Sequence, residues 1–234
     1  MTPRSLHSLC RRIVSFGLLG ALATCDQERT PTSSLNGTAT QQDITVAASA
    51  AQAMTHTVLT SGNNPANQKI YATASIAPAP NALVTVAVLA HNSTSAPPSP
   101  TLSGGGMAAW TEVAAVTFDA VSTPHKRLSV FRAMSAVPGN GPLTITFSKS
   151  LSNCQWIVSQ WDGVDLTGVN GAGAIGQAGT TRGDAVNGLA VALAPLGNTA
   201  NAAYGVFGVK KSVVAVTPGT GFSEIGEQPS SERR

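Results

Sequence analysis

The sequence predicts an all-β protein, a single antiparallel β-sandwich, and a jelly roll is one arrangement its strand pattern allows. Three observations lead there. Apolar residues come in runs of strand length, either alternating with polar ones or continuous. Clusters of Gly, Pro and Asn separate the runs. Charged residues make up only 11% of the chain, so the Glu, Lys and Arg that build long helices are scarce.

The first 24 residues are set apart from this pattern. Arg4, Arg11 and Arg12 make a basic front end without an acid, and Ile13 to Ala23 is uncharged. Basic end, short apolar core and small residues are the layout of a secretory signal. The run is about half the roughly 20 residues that a spanning helix needs. Two processing sites compete. Ala21-Leu22-Ala23 fits ordinary signal peptidase, with release at Thr24. Leu22-Ala23-Thr24-Cys25 resembles a bacterial lipobox, in which the Cys25 thiol is acylated and becomes the first residue. Thr24 departs from the Gly, Ala or Ser preferred there. The polar Thr/Ser/Gln-rich stretch 25–42 suits a tether, which favours the lipoprotein reading. The expected organisation is a signal helix over 1–24, a flexible linker over 25–42 and the sandwich over 43–234.

Within the domain the strands are expected in this order. "KIYATASI" opens the set, and "NALVTVAVLAH" is a continuous apolar run suited to a central strand buried on both faces. "TEVAAVTFD" and "KRLSVFRAM" follow. "PLTITFSK" puts Leu143, Ile145 and Phe147 on one face and Thr144, Thr146 and Ser148 on the other. "NCQWIVSQWD", "GLAVALAP" and "AAYGVFGVK" complete the set. "SGNNPAN", "APPSPTLSGGG", "VPGNGP", "LGNTAN" and "VTPGTG" read as the turns between them. No repeat of fixed period appears, which disfavours a propeller or solenoid.

"YATASIAPAPNALVTVAV", "RLSVFRAM", "CQWIVSQWDGVD", "GAIGQAGTT" and "NAAYGVFG…TPGTGFSEIGE" together resemble a β-sandwich domain of secreted bacterial proteins. The likeness spans roughly residues 55 to 228, and it lies in the order of segments more than in any one motif. It implies a sandwich and an exported location, and no reaction. Such domains continue past the "GFSEIGE" region into a strand rich in Trp and Val, whereas this sequence runs into "QPSSERR". The resemblance therefore implies an open edge near residue 226, with marginal stability or self-association as its consequence.

Charge and motifs exclude several functions. Without residues 1–24 the chain carries eleven basic and eleven acidic residues, and no basic run marks a nucleic-acid binder. Cys154 is the one thiol inside the domain, so no intradomain disulfide is expected, and its setting reads as a buried inert thiol. "GAGAIG" at Gly171 to Gly176 matches a dinucleotide fingerprint in letters but lacks the strand before it and the helix after. Arg182-Gly183-Asp184 reads as a polar turn. Asp162 and Asp165 are the only weak candidates for a cation site; with few other acids near, they read as turn formers. His56, His91 and His125 are scattered, and no nucleophile elbow, zinc motif or phosphate loop is present, so no cofactor is expected.

The function expected is an exported, lipid-anchored surface module with a structural or adhesive role and no catalysis. Its partners are the membrane through Cys25 and another surface protein or polysaccharide. The alternative is a carbohydrate-binding domain, which would need Trp110, Trp161 or Tyr204 exposed as a platform for sugar rings. A secreted hydrolase ranks last.

Overall fold

The run Leu83 to His91 contains no charge and almost no polar residue, so it needs apolar cover on both faces, and the architecture supplies it. A computed structural model describes residues 53–119, 125–183, 186, 188–196, 201–210 and 216–228. The segments expected to be a signal and a tether, with Cys25, lie outside the described residues. Eight strands are present among them: β1 (Thr55–Asn64), β2 (Gln68–Ile76), β3 (Leu83–His91), β4 (Thr101–Gly104), β5 (Thr111–Phe118), β6 (Lys126–Met134), β7 (Gly141–Leu151) and β8 (Asn153–Asp162). A single 3-10 turn, Val169–Gly171, follows, and no α-helix occurs among the described residues.

The strands form two antiparallel sheets, β1-β8-β3-β6-β5 and β2-β7-β4. The expected sandwich is what forms. First pairs with eighth, second with seventh and third with sixth, as in a long hairpin rolled up into a jelly roll. The plan departs at the fourth pairing. β5 adds to the edge of the five-stranded sheet beside β6, and β4 pairs with β7.

Alternation explains the core. Val84, Val86 and Val88 point toward the three-stranded sheet, where they meet Tyr71, Leu143 and Ile145; all six are at most 1% exposed. Burying each such aliphatic side chain contributes about 1.5–3 kcal/mol, so this layer is a large share of what holds the two sheets together. Tyr71 brings a hydroxyl into that core, and its O–H is shared between the carbonyls of Leu151, at 2.9 Å, and Ala66, at 3.0 Å. Its ring meets Phe147 edge-on at 6.0 Å. Where β2 bulges between Ala72 and Ser75, the Thr73 hydroxyl accepts from the Leu143 N–H at 3.0 Å and stands in for the lost ladder bond.

Two strands were not legible as such. β1 is mostly polar, and β4 lies inside the stretch read as a turn. Conversely, "GLAVALAP" and "AAYGVFGVK" form no strand: among the described residues, no backbone–backbone hydrogen bond involves residues 176–209. The pattern of these segments is strand-like, but neither meets a partner in register.

Gly62 illustrates how tightly β1 and β8 meet. It sits opposite Trp156, and a Cβ at this position would come within 2.7 Å of the indole. Gly62→Ala is therefore expected to destabilise the domain by about 1–3 kcal/mol through overpacking. Gly219→Ala, where nothing lies within 4 Å, should stay within about 0.5 kcal/mol of the parent. Urea unfolding of both variants checks the contrast, and equal midpoints would contradict this packing.

Candidate functional site

The outer face of the five-stranded sheet presents Leu83, Thr85 and Trp161, the residues that alternate with the inward valines. Left bare, this face would expose a second apolar layer to water. The chain beyond Asp162 returns to cover it. Val164, Ala174 and Tyr204 join Leu83 and Trp161 in one cluster, with Met54 and Met134 at its margin.

Tyr204 is the anchor of this cover. Its ring meets Trp161 edge-on at 5.2 Å, and Trp161 in turn donates its indole N–H to the Thr85 hydroxyl at 3.0 Å. The His56 ring lies 4.4 Å from the same indole. Burial pushes the Tyr204 phenol up to about 12, because the charged phenolate is the form that loses water. Burial lowers the His56 pKa for the same reason, since the charged imidazolium is the form that loses water.

From Tyr204 the segment 201–210 runs along β3. Gly208 lies where a Cβ would touch Phe118 and Leu89. At the far end the buried Lys126 ammonium donates to the carbonyls of Val209, at 3.3 Å, and Lys210, at 2.6 Å. Lys210 reaches Asp119 at 2.9 Å. An aromatic at one end and a cation at the other thus pin the strip, and no backbone ladder is involved.

The residues singled out in sequence do not converge. Trp161 and the partly buried Tyr204 meet in the outer cluster, while Trp110 is partly buried against the core between the sheets and donates its indole N–H to Gly104 O at 3.1 Å. The three share no flat surface. Asp165 accepts from the Thr167 N–H at 2.6 Å, closing the turn expected of it, and Asp162 accepts from the Gln160 amide at 3.0 Å. Among the described residues no three His, Cys, Asp or Glu side chains gather as metal ligands. Cys154 is fully buried, and burial pushes its thiol well above the usual range. His56 on the edge strand β1 and His91 at the end of β3 stand at opposite ends of the five-stranded sheet. Arg182 donates to Thr117 O at 3.5 Å, and Asp184 lies outside the described residues.

The glycine-rich stretch 171–176 forms no dinucleotide loop: it follows a 3-10 turn, enters neither strand nor helix, and lines a shallow cavity of about 300 Å³ with Glu112 and Arg132. The cavity's polar groups are engaged elsewhere. Glu112 pairs with Arg127 at 2.9 Å and with Ser99 at 3.0 Å. Arg132 donates to Asn170 O, and the Gln177 amide makes bonds of 2.8 and 2.9 Å to the backbone of Ala194.

What the surface offers is apolar. Val186, Leu189, Val191 and Leu193 are exposed on one arm of the C-terminal layer, and Phe207 and Val209 on the strip that crosses β3. Ala185 to Val209 is 25 residues without a charge. The apolar pattern of these segments is that of strands, but among the described residues neither has a backbone partner in register. No helix among the described residues is long and apolar enough to cross a membrane. No protein family, curated protein or solved structure matches the chain.

The burial of Tyr204 has a direct optical consequence, because the chain has two tyrosines and the phenol of Tyr71 is likewise pushed up to about 12 by burial. A raised tyrosine pKa means stability that is full below pH 10.0 and falls as pH climbs toward about 12. Tyrosinate absorbance of the native protein should therefore stay low through pH 10.0 and rise toward about 12. Half of the signal appearing near pH 10.0 would show Tyr204 solvated and the strip undocked.

Proposed function

We propose that this chain is an exported, lipid-anchored surface module with a structural or adhesive role and no catalytic one. The observation that carries the binding role is the set of exposed apolar side chains Val186, Leu189, Val191, Leu193, Phe207 and Val209. Exposed apolar surface of that continuity in sequence is the kind partners cover. The anchoring role rests on the basic, apolar and small residues leading to Cys25 and on the polar tether after it. Acylation with more than one chain would hold such a module firmly, where a single acyl chain binds marginally. The order of strand segments, similar to that of secreted bacterial sandwich modules, supports the same reading.

The buried aromatics bear on the role as well. Trp161 and Tyr204 are used to fasten the C-terminal layer, so recognition falls to the exposed apolar side chains that remain, Leu189, Val191, Leu193 and Phe207 among them. Contacts of that kind suit a protein surface.

Expression in a bacterial host followed by membrane fractionation and mass spectrometry tests the proposal. The expected result is a membrane-bound protein that begins at an acylated Cys25 and is released into the soluble fraction by Cys25→Ala. A soluble product beginning at Thr24 with a free thiol would overturn the anchor.

A further inference from the structure

The arm Gly188–Pro195 carries a specific pattern. Residues 189–193 read Leu-Ala-Val-Ala-Leu, a palindrome centred on Val191. All eight residues from Gly188 to Pro195 are exposed. The arm folds back on residues 177–183: Gln177 bonds Ala194, Gly179 lies under Val191 and Leu193, and Gly183 lies under Val186 and Leu189. These contacts describe a hairpin-like return without a ladder. Among the described residues, Leu189 to Leu193 make no backbone–backbone hydrogen bond.

An extended apolar run with unpaired N–H and C=O groups is a template for strand addition. Natural edges are guarded by lysine, by proline or by bulges. Here no charge occurs between Asp184 and Lys210, and Pro195 guards only the far end. The question is which strand fits.

We propose that the occupant is a second copy of this chain, paired antiparallel through residues 189–193 about a twofold axis at Val191. This rests on the reading of the domain as a binding module and names its partner. The palindrome is the reason. In this register Leu189 faces the partner's Leu193, Val191 faces the partner's Val191, and each Ala faces an Ala. Large side chains thus fall on one face of the new ladder and methyl groups on the other. A twofold interface must be complementary to itself, and an uncharged palindromic strand meets that condition without placing like charges opposite each other. Leu189, Val191 and Leu193 are now 40%, 42% and 37% exposed, and pairing would bring each against its counterpart. Five residues make a short interface, so the expected behaviour is a concentration-dependent monomer–dimer equilibrium.

Sedimentation equilibrium of the full chain carrying Cys10→Ser and Cys25→Ser tests this, with lipid-driven association removed. Dimer that dissociates on dilution, and that Val191→Lys shifts at least tenfold toward monomer, supports the proposal. Val216→Lys, an exposed apolar position outside the palindrome, should leave the dimer unchanged. Register is read by oxidation in the same background. Val191→Cys should cross-link to its own copy, because the axis places the two side chains opposite each other. Leu189→Cys alone should not cross-link, and a mixture of Leu189→Cys with Leu193→Cys should. A chain monomeric at all concentrations, or a dimer indifferent to Val191→Lys, overturns the proposal. These results are independent of Cys25 acylation, so the dimer and the anchor can fail separately.

Discussion

Everything in this fold answers to β3, a strand buried on both faces. Leu83, Val84, Thr85, Val86 and Ala87 are each at most 4% exposed, although they alternate between opposite sides of the sheet. A two-sheet sandwich covers only one of those sides. The inner side is closed by the three-stranded sheet, through Tyr71, Leu143 and Ile145. The outer side is closed, among the described residues, mainly by the stretch after β8, with Met54 at the margin. The described segments after β8 that carry Val164, Ala174 and Tyr204 are therefore held on the sheet by the apolar face they cover.

The way it is held decides what it leaves free. Tyr204 packs on Trp161, and Lys126 binds the carbonyls of Val209 and Lys210. Both attachments are made by side chains, so the backbone between and before them is not consumed by a ladder. Backbone outside any ladder, with apolar side chains exposed beside it, is the result. The feature that closes the core is thus the same one that leaves the apolar surface on which the proposed binding role rests. This joins the packing of the interior to the proposed adhesive role without calling on any catalytic group.

Six of the eight strands were legible because their apolar period is strong and their turns carry Gly, Pro or Asn. β3 announced its double burial by having no polar face, and β7 announced its single buried face by strict alternation. β1 was hidden because "THTVLTSGNN" offers few apolar residues; its place at the edge beside β8 comes from long-range pairing. β4 was hidden by the Pro and Gly around it. "GLAVALAP" and "AAYGVFGVK" failed for the opposite reason. Their local pattern is that of strands, but whether a strand finds a ladder depends on partners that local pattern does not encode. At the candidate site, the turn role of Asp165 was legible from its Asx chemistry. The meeting of Trp161 with Tyr204, across 43 residues of sequence, was not. The aromatics of the sugar-platform reading serve different clusters, a fact only the fold reveals.

The central claim is that the C-terminal layer is docked by side chains on the outer face of β3 and is not woven into either sheet. Hydrogen–deuterium exchange on the intact chain measures this directly. The account predicts that the β3 amides, paired to β6 and β8 and covered on both faces, exchange more slowly than those of the edge strand β5. It also predicts that the amides of residues 201–208 exchange rapidly at protein concentrations where the chain is monomeric. Slow exchange throughout 201–208 in the monomer would mean that the layer is hydrogen-bonded as a true strand, and would contradict the account.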